Sequence, residues 1–351
     1  MCYNNLYRRG NKMKLLSVTV PCYNSQDYMA GAIESLLVGG DRVEIIVIND
    51  GSKDNTGKIA DEYAAKYPNI VKVVHQENGG HGEGINQGLK HSTGKYFFVL
   101  DSDDKLFKDA FLQTLDKLEE LEKDGGIDMF IANYFYDHAI DRKKQTIKYK
   151  SVLPQNRIFG WEETKKFKIW QCLTIHTCIF RTQIMRDINL DLPKHVFYED
   201  NLMVYLPLRH TKRLYYMDIT LYSYYIGRPD QSVQEGIMKK RCLQQKLISE
   251  KIATAYNLTE LFKTDKMLAS YLKHECELML TIATAYMRLN KTDEMEKEFE
   301  DMWQKVKDFD PIMYKKMRNR SHCWWVTRRG KFGRWLCIFG YRFAQKFVHF
   351  N

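Results

Sequence analysis

The stretch Tyr96–Phe107, "YFFVLDSDDKLF", is the most informative segment for predicting the fold of this chain of 351 residues. It begins with five apolar or aromatic residues and continues with three carboxylates within four positions, Asp101, Asp103 and Asp104. A short apolar run that is bounded by polar residues predicts a buried strand. The carboxylates therefore stand at the carboxyl end of a strand, where their like charges repel one another unless a partner neutralises them.

The same alternation of short apolar runs and helical patterns fills the first 135 residues. The predicted strands are Leu16–Val20, Val43–Ile48, Val71–Val74, Tyr96–Leu100 and Ile127–Ala132. The predicted helices are Asp27–Leu37, Thr56–Tyr67, Glu83–His91 and Lys108–Lys123. This order predicts an α/β fold with a mostly parallel central sheet flanked by helices. Ligands of such sheets bind beyond the carboxyl ends of the strands, where four polar segments fall: "PCYNS" (21–25), "NDGSKDN" (49–55), "ENGGHGEG" (77–84) and "DSDD" (101–104).

The remainder of the chain divides by composition. Residues 136–165 are basic and irregular, "FYEDNLM" (197–203) opens a helix, and "LYYMDITLYSYYIG" (214–227) predicts a strand. From about residue 236 to residue 306 the pattern is helical. We therefore predict a lead-in at 1–13, an α/β domain at 14–235, a helical subdomain at 236–310 and a basic aromatic tail at 311–351.

Composition excludes several classes of protein. Hydrophobic residues make up 44% of the chain, which is enough for a folded core. The eight cysteines form no CxxC pair, so we expect reduced thiols rather than disulfides or a zinc site. We expect neither a secretory signal nor a membrane-spanning helix, because the sequence has no signal-type apolar segment and no run of about 18 apolar residues. No GxGxxG follows the first strand, which argues against a dinucleotide-dependent dehydrogenase.

The net charge of +10 is concentrated in the tail, where residues 311–351 carry ten Lys or Arg and no Asp or Glu. Aromatic residues are interleaved with these bases. Two interpretations stay open: the tail contacts an anionic membrane surface, or it packs its aromatic side chains on the helical subdomain. Specific nucleic-acid binding is not expected, because a basic tail alone binds nucleic acid without sequence preference.

Three acidic motifs carry candidate chemistry. Asp101 and Asp103 can approach one hard cation such as Mg²⁺ or Mn²⁺, whereas Asp103 or Asp104 can instead cap the following helix, and Asp104 can also support the site from behind. Asp50 ends a strand beside Gly51, which permits close backbone approach, so its carboxylate can accept from a base N–H. The other interpretation is a polar turn with a helix N-cap at Asn55 or Thr56. Glu199 and Asp200 supply a general base or merely favour a helix N-terminus. None of the motifs decides between its interpretations by itself.

Their order and spacing resemble glycosyltransferase family 2 over roughly residues 14–232. The resemblance rests on "VTVPCYNSQDYMAGAIESLL" (18–37), "VEIIVINDGSKDNT" (43–56), "ENGGHGEGINQGLKHSTGKYFFVLDSDD" (77–104) and "FYEDNLM" (197–203). It implies the GT-A fold, which binds a nucleotide-sugar on its α/β sheet, and transfer with inversion at the anomeric carbon, in enzymes of bacterial surface-glycan type. It also implies Mn²⁺ or Mg²⁺ as the cofactor.

The resemblance also implies a role for each matching residue. Pro21 and Tyr23 form the uridine-side wall and Asp50 binds uracil. Asp101 and Asp103 form the DxD pair that holds the ribose and the metal ion. Asp200 is the catalytic base and Glu199 its neighbour. Arg228 and Ser232, in "YYIGRPDQSV" (224–233), are weaker candidates for a contact with the donor diphosphate.

One position departs from the family pattern. Gly84-Ile85-Asn86 stands where members often have Ala-Arg-Asn, so a positive charge near the nucleotide is missing. His81 or Lys105 is the candidate replacement. His176, in the apolar run "LTIHTCIF" (173–180), is interpreted as a core or acceptor-wall residue rather than a ligand.

The function implied is transfer of a hexose from a UDP-sugar to a hydroxyl of a glycan or lipid-linked acceptor, in polysaccharide biosynthesis. The alternative is a non-catalytic nucleotide-sugar-binding scaffold or partner subunit. The expected location is cytoplasmic and peripheral, on the inner face of the cell membrane. Homo-oligomer formation stays open.

Overall fold

The computed structural model describes residues 13–138, 145–169, 171–226, 234–321 and 323–347. Its strands are β1 Leu16–Cys22, β2 Val43–Asp50, β3 Val71–Gln76, β4 Tyr96–Val99, β5 Lys105–Leu106, β6 Met129–His138, β7 Gln145–Ile147, β8 Ile158–Phe159, β9 Cys178–Arg181 and β10 Leu214–Ile226. Its helices are α1 Met29–Leu37, α2 Thr56–Lys66, α3 His81–His91, α4 Lys108–Lys123, α5 Thr182–Asp187, α6 Asp200–Tyr205, α7 Glu235–Lys240, α8 Cys242–Ala255, α9 Leu258–Thr264, α10 Lys266–Leu289, α11 Asp293–Phe309, α12 Pro311–Arg320, α13 Cys323–Val326 and α14 Gly330–Phe347. Short 3₁₀ helices occupy Gly40–Arg42, Trp161–Glu163 and Leu206–His210.

The strands and helices predicted for the first 135 residues are confirmed, and several strands are longer than the apolar runs that predicted them. β1 continues to Cys22, and β2 continues to Asp50. These polar ends still pair in parallel with their neighbours, Cys22 with Asn49 and Asp50 with Gln76. Because backbone hydrogen bonds do not depend on side-chain polarity, the ladder continues past the point where the apolar pattern stops.

The described strands form one sheet in the order β3-β2-β1-β4-β9-β6-β10-β5, with β7 and β8 attached to β6 and β10. The first four strands of this order pair in parallel, as do β6 and β10. β9 lies between β4 and β6 and is antiparallel to both. Its antiparallel direction places the residues that precede β9 beside the residues that follow β4, and this brings residues near 176 to the "DSDD" turn.

The central strands are buried on both faces. Successive side chains of a strand point to opposite faces of the sheet. Accordingly, Tyr96 and Phe98 pack in the apolar cluster that contains α1 and α4, whereas Phe97 and Val99 pack in the cluster that contains α3, α5 and α6. Two cores on opposite faces hold the sheet rigid, so the strand ends present loops in fixed positions.

The helices that follow residue 234 extend one of these two cores. The cluster that begins at Ile85 and Phe97 continues without interruption through α8, α10 and α11 to Val326 and Cys337. In the described ranges, no helix combines the length and the apolar character that crossing a membrane requires. The described cysteines are free thiols, as predicted. The predicted division into domains stays a prediction.

Candidate active site

The loops that follow β1, β2 and β4 contact one another at the carboxyl ends of these strands. The backbone N–H of Ser25 donates to the Thr56 hydroxyl at 2.7 Å, and the hydroxyls of Ser25 and Ser102 are 2.8 Å apart. Asp54 accepts from the N–H of Gln26 at 3.2 Å. These contacts join the polar segments that the sequence placed at separate strand ends.

Pro21 and Tyr23 lie at the exit of β1. Pro21 is buried, and a Cβ at Gly84 would lie 3.1 Å from the Pro21 side chain, so α3 packs directly against this strand end. The Tyr23 side chain is 53% exposed. An exposed ring at a strand end offers a face on which a planar group can stack.

Asp50 organises the loop that connects β3 with α3. Its buried carboxylate accepts from Gln76 Nε2 at 2.6 Å and from the backbone N–H of Gly79 at 2.8 Å through one oxygen. Its other oxygen accepts from Asn78 Nδ2 at 3.1 Å and from the N–H of Gly80 at 2.9 Å. A carboxylate has about four acceptor positions, so a uracil N–H would have to displace one of these donors.

The start of α3 needs glycine for steric reasons. Gly80 has φ +85°, and a Cβ there would lie 3.0 Å from the backbone nitrogen of His195. A Cβ at Gly82 would lie 2.8 Å from Glu199 Cγ. The "GGHG" segment therefore lets the first turn of α3 approach the "FYED" segment closely, which places His81 between the acidic motifs.

His81 bridges two carboxylates that belong to different motifs. Its Nε2 lies 3.0 Å from Asp101 Oδ1, and its Nδ1 lies 2.7 Å from Glu199 Oε1. Glu199 is only 2% exposed. Ionised carboxylates only accept hydrogen bonds, so this geometry requires a proton on both ring nitrogens.

The electrostatics agree with that protonation. Burial alone would lower the pKa of His81, but the hydrogen bonds and charges of Asp101 and Glu199 raise it well above its usual value. Burial would likewise raise the pKa of Asp101, whereas His176 and His81 lower it strongly. The three side chains thus form a carboxylate–imidazolium–carboxylate bridge, which the sequence did not predict.

Asp104 supports the "DSDD" turn from behind, as one of its two sequence interpretations held. It is 1% exposed and accepts from the Tyr222 hydroxyl at 2.6 Å and from the N–H of Tyr225 at 2.7 Å. The alternative, that Asp104 or Asp103 caps the next helix, is wrong: α4 begins after Phe107 without a side-chain cap, because β5 intervenes. Burial and the charges of Asp101 and Asp103 raise the pKa of Asp104.

His176 lies beside the same turn. Its Nε2 is 3.7 Å from Asp101 Oδ2, and its ring stacks on Tyr224 at 4.3 Å. Candidate ligand atoms of Asp101, Asp104 and His176 all lie within 4.8 Å of one another. Among the described residues, the buried Nδ1 of His176 has no hydrogen-bond partner. This donor set fits a divalent cation, which would also offset the charge that has accumulated on the neighbouring carboxylates.

Asp103 lies on the same turn and is partly exposed. Its charge reaches both Asp104 and the buried thiol of Cys22, whose pKa rises through burial first and through Asp103 next. The assignment of Asp103 to the metal stays a prediction. Arg228 and Ser232 lie outside the described residues.

Asp200 is the first residue of α6 and shares the site with the bridge. Burial, and next the charge of Glu199, raises the pKa of Asp200 to about 6, while His81 and His176 oppose the rise. A carboxylate with a pKa near the working pH is suited to accept a proton. Its role as the catalytic base stays a prediction.

Glu275 adds an acid from the helical segment that the sequence did not reveal. It lies on α10 and is 1% exposed, and its Oε2 has no hydrogen-bond partner among the described residues. Burial raises the pKa of Glu275 to about 8, and the charge of Asp200 adds to the rise against a hydrogen bond with Tyr271. In the sequence, the only signal for this group is an acidic residue on an otherwise apolar helix face.

The position that departs from the family pattern lies in the core. Ile85 is fully buried, in the apolar cluster that contains α3. Of its two candidate replacements, Lys105 lies against Gly31 of α1, with Cε 2.5 Å from where a Cβ would stand. His81 is the one that lies between the acidic groups.

Residues 17–188 match Glycosyl transferase family 2. The chain is 39% identical over 129 residues to glycosyltransferase GlyG of Streptococcus pneumoniae, which covers 36% of this chain and 41% of GlyG. It is 29% identical over 220 residues to the uncharacterized glycosyltransferase EpsJ of Bacillus subtilis, which covers 60% of each protein. The chain therefore spans less than two thirds of the length of either relative.

The fold is similar to the crystal structure of S. aureus TarS 1–349, with a TM-score of 0.63 and 20% identity over 95% of this chain and 91% of that chain. The complex of TarS 1–349 with UDP-GlcNAc gives a TM-score of 0.52 with 19% identity over 88% and 92% of the two chains. At this identity the likeness concerns the fold, and it confirms the predicted GT-A architecture with its helical C-terminal part. Residues 17–188 are thus similar to glycosyltransferase family 2 in sequence, within a chain that has the GT-A fold.

Proposed function

We propose that this chain is an inverting glycosyltransferase that moves a hexose from a nucleoside-diphosphate sugar to an acceptor hydroxyl. The observation that carries the proposal is that His81 joins Asp101 to Glu199 at one site, where their charges also act on Asp200. Direct displacement needs one set of groups for the leaving diphosphate and another for the nucleophile. The "DSDD" turn and the "ED" pair provide those two sets.

UDP is the proposed nucleotide of the donor. Support comes from the similar fold of TarS, whose crystal structure contains UDP-GlcNAc. In this chain Tyr23 offers an exposed ring for the base, and the buried Pro21 stands two residues before it. Asp50 keeps the proposed uracil contact, which would exchange with one of its four donors. Arg228 and Ser232 remain proposed contacts of the diphosphate.

Mn²⁺ or Mg²⁺ is the proposed cofactor, held by Asp101 and Asp103. A bound divalent cation would neutralise the charge that develops on the leaving diphosphate. Asp104 and His176 are close enough to Asp101 to extend the ligand set. If the imidazole takes part, Mn²⁺ is favoured over Mg²⁺, because Mg²⁺ prefers oxygen ligands.

Asp200 is the proposed base. It would accept the proton of the acceptor hydroxyl as that oxygen attacks the anomeric carbon from the face opposite the nucleotide. The transition state of glycosyl transfer resembles an oxocarbenium ion. Glu199 holds His81 and, through it, the orientation of the donor-side Asp101.

The proposed acceptor is a hydroxyl of a glycan or a lipid-linked glycan, in surface-polysaccharide synthesis. The proposed place of reaction is the inner face of the cell membrane, with the enzyme bound peripherally. Support comes from a tail whose charge of +10 suits an anionic surface.

A non-catalytic nucleotide-sugar-binding scaffold is the alternative. Ile85, which stands where the family pattern often has arginine, is the sequence feature in its favour, yet this residue is buried in the core. Donor turnover separates the two functions. We expect the protein with Mn²⁺ to hydrolyse or transfer from a UDP-sugar, and Asp200→Asn to bind UDP normally while losing turnover.

The exposed Asp187 on α5 provides the control, because Asp187→Asn removes one carboxylate of the same kind at a distance from the site. Donor binding without turnover in the unmodified protein, across a panel of UDP-sugars and acceptors, would support the scaffold. Normal turnover of Asp200→Asn would refute the assignment of the base.

A further inference from the structure

Helix α14 presents two different faces. One face packs on the helical segment: Cys337 is buried, the Tyr341 hydroxyl lies 3.2 Å from that of Tyr286, and a Cβ at Gly340 would meet the ring of Trp325. This packing corresponds to one of the two interpretations of the tail, and we name this side of α14 the docking face. The helix is therefore fixed to the protein, and its other face has a defined orientation.

The other face carries a ladder of stacked rings. Phe332, Trp335, Phe339 and Phe343 are 69%, 57%, 55% and 56% exposed. Their ring centroids are 6.0, 5.4 and 6.5 Å apart in succession, and the planes of neighbouring rings differ by only 27°, 15° and 22°. Steps of three and four residues keep all four on one stripe of the helix. We name these four residues the aromatic face.

Such a face is costly in water. Scattered exposed apolar residues are normal, but a contiguous apolar patch rimmed by polar groups indicates an interaction surface. Here four large rings follow one another for the length of the helix. The rings already contact each other along the stripe, so their rotamers are ordered before any partner binds.

The charge around the aromatic face indicates what that partner is. Residues 311–351 contain no acid and ten bases, among which Arg329 and Lys331 are exposed next to Phe332. Three of these bases face acids of the helical segment: Arg342 lies 3.0 Å from Glu235, Arg329 lies 3.9 Å from Glu300, and Arg334 lies 4.0 Å from Asp293. The surroundings remain positive, because the other bases of the tail outnumber these acids.

We propose that the aromatic face of α14 inserts into the interfacial region of a bilayer that contains anionic lipid. Phe and Trp side chains would enter the boundary between headgroups and acyl chains, and the neighbouring bases would meet the lipid phosphates. The docking face keeps the catalytic part attached, so the membrane contact fixes the site at a set distance from the lipid surface. This contact is independent of the proposed reaction.

A second copy of the chain fits this surface less well. Pairing two aromatic faces would bring two tails of charge +10 together, and their repulsion opposes the contact. An anionic bilayer supplies an apolar boundary and negative charge at once. Charge complementarity therefore favours the lipid surface.

Flotation of the full chain with vesicles tests the proposal. Vesicles of phosphatidylcholine alone are compared with vesicles that contain phosphatidylglycerol. We expect binding to the anionic vesicles, and a loss of about tenfold or more when Phe332, Trp335, Phe339 and Phe343 are all replaced by Ser. The control is Ile312→Ser, since Ile312 lies in the same tail, is 55% exposed and stands outside the aromatic face.

The thermal unfolding midpoint and UDP binding check that the variant lacking the four rings (the four-ring variant) is folded. We expect both to match the unmodified chain, because the removed rings are exposed. Equal flotation of the unmodified chain and the four-ring variant would overturn the proposal, as would equal binding to neutral and anionic vesicles. If the chain binds no vesicles, a dimer that the unmodified chain forms and the four-ring variant does not would assign the aromatic face to self-association. Binding of duplex DNA that only the four-ring variant loses would assign it to nucleic acid instead.

Discussion

Asp101 and Glu199 bind opposite nitrogens of one imidazole, that of His81, at 3.0 and 2.7 Å. One carboxylate follows β4 and the other precedes α6, so a single side chain connects the two acidic motifs of the site. Since both partners accept hydrogen bonds, the imidazole carries a positive charge there. This charge lies in the region where the family pattern often has an arginine and this chain has Ile85.

We expect His81→Gln to lower both the free energy of unfolding and the rate of turnover. A glutamine side chain cannot reach both carboxylates, so the 2% exposed Glu199 would lose a charged donor, at a cost of about 1–3 kcal/mol in the free energy of unfolding. Urea unfolding and steady-state kinetics measure the two effects. His75→Gln is the control, because His75 is exposed and pairs with Asp61 at 3.0 Å. Unchanged kinetics in His81→Gln would show that the bridge does not position the site.

Turnover should decrease on the acid side of the pKa of Asp200. That pKa is about 6, and the proposed base must be ionised to accept a proton. Below this pH the rate should fall about tenfold per pH unit, because the ionised fraction does so. Single-turnover rates at saturating donor between pH 5 and pH 8 measure this, with UDP affinity followed over the same range. A single-turnover rate that does not change with pH would show that Asp200 is not the base.

Glu275→Gln should make the protein less sensitive to alkaline pH. The pKa of Glu275 is about 8 in the folded protein and near 4.5 when unfolded, so the folded state holds more protons between these values. Stability therefore falls as pH rises through this window, by up to about 1.4 kcal/mol per pH unit. The neutral amide removes this loss.

Thermal unfolding at pH 5.5 and pH 8 tests that expectation, with Glu62→Gln on the exposed surface of α2 as the control. The unfolding midpoint of Glu275→Gln, measured relative to that of the unmodified protein, should be higher at pH 8 than at pH 5.5. A parallel shift at both would mean that the acid is not protonated in the folded state.

Removal of the divalent ion should weaken UDP binding, and Asp101→Asn should abolish the dependence on the ion. Asp101 is common to the predicted DxD pair and to the cluster with Asp104 and His176. Calorimetric titration of UDP with Mn²⁺ and with a chelator measures the effect, and Asp116→Asn on α4 is the control. Comparison of Asp103→Asn with His176→Gln shows which residue completes the ligand set. UDP affinity that does not respond to the chelator would contradict the proposed cofactor.

Local sequence patterns were sufficient to predict the strands, the helices between them and the acids at the strand ends. These follow from local periodicity, and parallel strands place all their carboxyl ends at one edge, so Asp50 and Asp101 had to lie at the same edge of the sheet. The helical character of the segment after residue 234 was also local. Each of these predictions needed only a few consecutive residues.

Which side chains meet across that edge depends on contacts between segments that are distant in the sequence. The antiparallel β9 enters between β4 and β6 and carries His176 to Asp101, a pairing between distant segments that no local pattern encodes. Close packing at Gly82 places His81 against Glu199. Helix α10, which lies beyond residue 234, places Glu275 where the charge of Asp200 reaches it. In the tail, the composition predicted an amphipathic segment, but packing decided which rings are docked and which remain exposed, because that depends on the helices it meets.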